Sequence, residues 1–159
     1  MTFRRILTAS LLLFVAVSLG TLVGKEWNRD PSPPGSPSGI PAEIPADGRQ
    51  LVAYYFAGTV RCATCRKIEE ISRATIESSF PEELAAHRLR FLAVDVDRPE
   101  NRHFVEDFRL ESSSLVLVEI RNGTPSGWKN LSAVWTLAED GPELERYVRE
   151  EVASRLKRI

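Results

Sequence analysis

Between Gln50 and Ile76 the chain passes from an unbroken apolar run, through a Cys-Ala-Thr-Cys pair, into an amphipathic segment. No other stretch restricts the fold so much. Leu51, Val52, Ala53, Tyr54, Tyr55 and Phe56 predict a short buried strand. Gly58 and Thr59 break it, Cys62 and Cys65 follow at once, and Ile68, Ile71 and Thr75 recur at helical spacing. Cys62 therefore falls near the first turn of a helix, where unpaired N–H groups and the positive dipole end favour a thiolate. Arg61 and Arg66 flank the pair and are expected to push the same way. The thiolate is the nucleophile in disulfide exchange, so this placement suits redox chemistry. Cys65, one turn later on the same face, is placed to resolve a mixed disulfide.

A structural staple and half of a metal site are the competing readings. The chain holds 2 cysteines in all, so no second pair exists to complete a four-cysteine zinc site. A bridge across so short a loop restricts the unfolded chain only modestly, which makes it a poor staple. A redox dithiol is the favoured reading, and metal binding stays open beside it. The 159 residues give room for one domain with a core, and a net charge of −1 leaves no electrostatic footprint for nucleic acid.

The first 26 residues read as a signal anchor or signal peptide. Arg4 and Arg5 precede an apolar run from Ile6 to Val23, and Lys25 and Glu26 close it. That run approaches the roughly 20 residues that span a bilayer, and the two arginines are expected to hold the N-terminus in the cytoplasm. Ser18 and Gly20 are small enough for a cleavage site, but the run continues to Val23, which favours an uncleaved anchor. Residues 27–48 form a Pro/Ser/Gly-rich linker, with Pro31, Pro33, Pro34, Pro37, Pro41 and Pro45 keeping it extended. The domain of residues 49–159 is thereby expected on the outer side of the cytoplasmic membrane, periplasmic or extracytoplasmic, or secreted if the signal is cleaved.

Within that domain, Ser78 to Pro81 mark a break before a short turn of helix at Glu82 to His87. Leu89, Phe91, Leu92, Val94 and Val96 predict a second strand. Asp97, Pro99 and Glu100 carry a helix-start signal with Asp97 as N-cap, and the helix should turn Phe104, Val105 and Phe108 inward. Leu115 to Ile120 predict a third strand, Asn122-Gly123 a hairpin, and Ser126 to Asn130 a fourth, antiparallel strand. Trp135 and Leu137 follow on a short helix. Asp140-Gly141-Pro142 then opens a last helix with Leu144, Val148, Val152 and Leu156 along one face. This order describes a parallel βαβ unit joined to a β-hairpin, with helices on both faces and Cys62 at the carboxyl end of a central strand.

From Arg49 to Ile159 the chain resembles the thioredoxin-like superfamily, through strand–Cys62-Ala63-Thr64-Cys65–helix above all. More narrowly, Tyr54-Tyr55-Phe56, Val60 to Glu69 and Gly127-Trp128-Lys129-Asn130-Leu131 look like a small group of exported, membrane-anchored thioredoxin-like proteins of the ArsF type. That label attaches some members to the reduction of nitroaromatic compounds. The resemblance implies a central four-stranded mixed sheet flanked by helices, an exposed attacking thiol at Cys62 and a buried resolving one at Cys65. It implies protein disulfides or dithiols, or a membrane electron donor, as partners, and no cofactor. The chain also departs from the superfamily pattern. Arg61 replaces the usual Trp, and Ala63-Thr64 the usual Gly-Pro. Phe56 stands where a buried acid assists the resolving thiol, and Ala93 where its lysine partner falls. Ser113 or Ser114 takes the place of the cis-proline that faces the dithiol. These departures imply a redox role narrower than that of a general thioredoxin.

The second reading is a metallochaperone-like module in which Cys62, Cys65 and His103 hold Cu(I), since thiolates and imidazole suit copper. The third is a non-catalytic subunit of a membrane redox complex. His87 reads as surface. Asp95, Asp97, Glu106 and Asp107 are explained by capping and solvation, and Trp128 and Trp135 by packing of the hairpin against the next helix. The flanking arginines, by favouring the reduced state, point toward an oxidant or transfer protein.

Overall fold

The computed structural model describes Pro45 and residues 47–159. The expected anchor at residues 6–23 and most of the expected linker lie outside these residues. Among the described residues no helix is long and apolar enough to cross a membrane.

Four strands form one mixed sheet in the order β2-β1-β3-β4. They are β1 (Arg49–Ala57), β2 (Leu89–Asp95), β3 (Ser114–Arg121) and β4 (Thr124–Asn130). β1 runs parallel to β2 and antiparallel to β3, with Phe56 opposite both Val94 and Ser114. β3 and β4 form the hairpin, closed by Asn122 and Gly123, whose φ values of 51° and 78° are those of a type I′ turn. The topology is thioredoxin-like: a βαβ unit, a hairpin and a final helix, as the sequence resemblance implies.

Because β1 and β3 are central, their alternate residues feed two separate cores. Leu51, Ala53, Tyr55 and Ala57 of β1 join Leu115 and Leu117 of β3 on one face. That face is covered by helix α1 (Ala63–Ser79), with Ile68 and Ile76 buried, and by the last helix (Gly141–Leu156), with Leu144, Val148, Val152 and Leu156 buried. On the other face Val52, Tyr54 and Phe56 meet Val116 and Val118. That side is closed by a single short helix (His103–Asp107), reached from β2 through a 3-10 turn at Pro99–Asn101. Numbered in chain order, with the five-residue Pro81–Ala85 segment as α2, these last two helices are α3 (His103–Asp107) and α4 (Gly141–Leu156). At the far end of the sheet Arg155 of α4 donates to Glu119 of β3 at 2.5 Å, and both side chains are largely shielded from water.

Three expectations are corrected. Asp97 caps no helix: its carboxylate accepts from the Thr59 N–H, and Arg98 occupies the N-cap of the Pro99–Asn101 turn without a side-chain hydrogen bond. Val105 does not turn inward. α3 is so short that only Phe104 and Phe108, spaced by one full turn, reach the sheet, and Val105 is 37% exposed. Trp128 does not pack on the helix that follows it. It stands edge-on to Phe108 at 5.5 Å, on the α3 face, whereas Trp135 packs on the α1/α4 face.

The smaller core depends on few residues, with Phe104 in aromatic contact with Tyr54, Phe56 and Phe108. Phe104→Ala is expected to destabilise the domain by about 3–5 kcal/mol in denaturant unfolding. Val105→Ala, one residue on but exposed, should stay within about 0.5 kcal/mol. Equal effects would contradict this description of α3.

Candidate functional site

The site is built at the carboxyl end of β1. After Ala57 the chain runs through Gly58, Thr59, Val60 and Arg61 to Cys62, which occupies the N-cap of α1 with extended backbone (φ −69°, ψ 165°). An N-cap side chain normally accepts from the N–H three residues on, and here the acceptor is sulfur: the Cys65 N–H points at Cys62 Sγ at 3.0 Å. The two cysteines are joined in a disulfide, with their Cα atoms 5.1 Å apart. Cys62 is exposed and Cys65 only 7% so. An incoming group can therefore reach one sulfur and not the other. When the bond is reduced, a thiolate at Cys62 has a backbone donor and the positive helix end beside it.

The loop that delivers Cys62 is held by two acids at the end of β2. Thr59 donates its N–H to Asp97 and its hydroxyl to Asp95, each at 2.8 Å, and the Asp97 N–H returns to Asp95 at 3.0 Å. A Cβ on Gly58 would lie 2.8 Å from an Asp97 carboxylate oxygen, so a larger residue there would displace the carboxylate that accepts from the Thr59 N–H. The Thr59 hydroxyl, the Asp97 N–H and the nearby Arg98 and Arg61 cations hold the Asp95 carboxyl below the usual carboxylate range.

Beneath the dithiol, the fully buried Tyr55 donates its hydroxyl to the Cys65 carbonyl at 2.6 Å. Burial, reinforced by the Glu69 carboxylate and opposed by Arg61 and a Ser113 hydrogen bond, pushes this phenol up to about 12. It therefore stays a donor through the neutral range. Facing it is the Ser112–Ser114 loop, where the Trp135 indole donates to the Ser113 carbonyl at 2.8 Å and Ser114 to the Ser112 carbonyl at 2.9 Å. Among the described residues no peptide bond is cis, so Ser113 and Ser114 follow trans bonds. A cleft of about 210 Å³ opens between this loop and Gly58, lined also by Phe56, Val96 and Val105.

The two flanking arginines lie where the sequence places them, but each has a partner. Arg61 is ion-paired with Glu69, whose other oxygen accepts from Arg73 at 3.1 Å. Arg66 donates to the Arg61 carbonyl at 2.7 Å. Glu69 and Tyr55 were not singled out from the sequence. The available signals were their positions: Glu69 one turn beyond Cys65 on α1, and Tyr55 on the β1 face that looks toward that helix.

The copper set is not assembled. His103 lies on α3 with its ring 4.0 Å from that of Phe104. Among the described residues no three His, Cys, Asp or Glu side chains are grouped to hold a metal, so Cys62, Cys65 and His103 do not converge. Glu106 and Asp107 are exposed on α3, and Asp95 and Asp97 are occupied by Thr59.

No family model and no curated protein matches the chain. Solved structures that align with it include several thioredoxins. The Trypanosoma brucei brucei thioredoxin is 19% identical, with 72% of this chain and 98% of that one covered and a TM-score of 0.38. Thioredoxin O2 from Arabidopsis thaliana, in its oxidized state, is 17% identical over 60% and 76%, with a TM-score of 0.37. The Fasciola hepatica thioredoxin is 20% identical over 59% and 80%, with a TM-score of 0.36. Likeness at this level says nothing of what this chain acts on.

The Thr59–Asp95 contact makes a pH prediction. A carboxyl whose folded pKa is depressed stabilises the fold above its unfolded pKa, near 3.9, and loses that contribution as pH falls through the folded value. Asp95→Asn should therefore flatten the acid limb of the stability curve. An unchanged limb would show that Asp95 contributes nothing there.

Proposed function

We propose that the chain is a thiol–disulfide oxidoreductase that exchanges electrons with protein disulfides or dithiols through Cys62 and Cys65. One observation carries this reading: the exposed sulfur of the pair sits at a helix N-cap with a backbone N–H aimed at it, and the other sulfur is buried behind it. In the reduced state the Cys62 thiolate attacks one sulfur of a substrate disulfide, and the second substrate sulfur leaves as a thiolate that takes up a proton. The Cys65 thiol then loses its proton and attacks Cys62 Sγ, forming the intramolecular disulfide and expelling the first substrate sulfur. The substrate disulfide gains two electrons and the dithiol loses two. Run backwards, the same steps oxidise a substrate dithiol. A dithiol protein or membrane electron donor is required to return an oxidised site to the reduced state. Arg61 and Arg66 tie the loop to the first turns of α1 around Cys62, and Ser113 and Ser114 stand at the chain position where the resemblance puts a cis-proline.

The reading extends to place. The Arg4-Arg5 start, the apolar run from Ile6 to Val23 and the proline-rich residues 27–48 support a domain tethered outside the cytoplasmic membrane. An oxidising compartment of that kind suits a working disulfide. The resemblance of Tyr54-Tyr55-Phe56, Val60 to Glu69 and Gly127 to Leu131 to exported ArsF-type proteins supports the same setting.

Trapping tests the chemistry. Cys65→Ser is expected to accumulate a mixed disulfide between Cys62 and an added disulfide-containing protein, released by dithiothreitol. Cys62→Ser should accumulate none and lower the exchange rate by at least 100-fold, as expected when a nucleophile is lost. Exchange at the wild-type rate in Cys62→Ser would remove the assignment.

A further inference from the structure

β1 carries no acidic residue, and its Phe56 is fully buried in the aromatic cluster, 5.1 Å from the Phe104 ring. The carboxylate tied to the loop that carries Cys62 comes from α1. Helix side chains lean toward the N-terminus, so Glu69 reaches back over the turn that carries Cys65. There it closes an ion pair with Arg61, the residue immediately before Cys62 and eight positions upstream of Glu69. The pair is not a solvated surface contact: the side chains are 27% and 16% exposed, and the Tyr55 hydroxyl lies within their field. Arg73 supplies the second cation to Glu69 and is itself stacked over Phe91 at 4.5 Å. The charged and titratable groups tied to the dithiol and its loop include Tyr55 from β1, Asp95, Asp97 and Arg98 at the end of β2, and Arg61, Arg66, Glu69 and Arg73 along the loop and α1.

We propose that Glu69 is a positioning residue that sets the acidity of Cys62 by neutralising and fixing the Arg61 guanidinium. An unpaired arginine next to Cys62 would favour the thiolate, and with it the dithiol over the disulfide. Paired with Glu69, Arg61 contributes little net charge, and the thiolate relies on the helix N-terminus and the Cys65 N–H. The site is therefore a weaker oxidant than its two flanking arginines alone suggest. This inference rests on the exchange reading for its significance, but the acidity of Cys62 is measurable without any exchange.

The test is the pH dependence of Cys62 alkylation in the reduced full chain. Glu69→Gln is expected to lower the Cys62 pKa by about half a unit or more, roughly a threefold rise in the thiolate-to-thiol ratio. Arg61→Gln should raise it, Arg61→Lys should restore it, and the Arg61→Gln/Glu69→Gln double variant should return close to wild type. Opposite shifts from the two single variants are the signature of charge. A merely structural pair would loosen the same turn in either variant and move the pKa the same way. Shifts of equal sign, or none in variants whose thermal unfolding shows an intact fold, overturn the proposal. Because trapping by Cys65→Ser reports on exchange separately, loss of trapping with opposite pKa shifts would remove the oxidoreductase reading and leave the role of Glu69 standing.

Discussion

A single backbone N–H, that of Cys65, directed at the sulfur of Cys62, is the contact that the architecture of the site serves. It exists only because Cys62 adopts the extended conformation of an N-cap while the next residue is already helical. That in turn needs α1 to start at a fixed point above the sheet. Tyr55 fixes it from below through the Cys65 carbonyl, and the Asp95–Asp97 pair fixes the incoming loop through Thr59. The Thr59 contacts join residues 36 and 38 positions apart, so the site depends on the β1–β2 pairing and not on the Cys-x-x-Cys stretch alone.

The two cores divide that labour. The larger, between the sheet and α1 with α4, immobilises the helix that carries the dithiol. The smaller, under α3, packs against Phe56 near the end of β1 and against Val94 and Val96 from the opposite side. The cleft lined by Phe56, Gly58, Val96 and Ser113 opens at the carboxyl end of β1, the usual position for sites on open α/β sheets. The edge strand β4 is short and polar and carries Pro125, which leaves little backbone free for unwanted pairing.

The sequence made local features legible. The apolar run of β1, the helical spacing after Cys62, the Asn122-Gly123 turn and the Asp140-Gly141-Pro142 start are each encoded within a few residues, and the structure has them at those places. Features that depend on tertiary contact were not legible. Asp97 carries every mark of an N-cap, yet Thr59, brought alongside by the parallel β1–β2 pairing, takes its carboxylate. The spacing around Phe104 suits a longer helix than the single turn that forms, so Val105 is left exposed. Glu69 resembles any surface acid on an amphipathic helix until the fold places Arg61 beneath it. Flanking arginines read as free cations in a sequence, and pairing removes much of that charge.

Redox titration of the full chain against glutathione buffers decides whether Cys62 and Cys65 form an exchange-active pair. A reversible two-electron couple at Cys62–Cys65 between about −120 and −270 mV, within the range of exchange-active dithiols, is expected. A pair that forms no intramolecular disulfide, or one that stays oxidised below about −300 mV as structural bridges do, would contradict it.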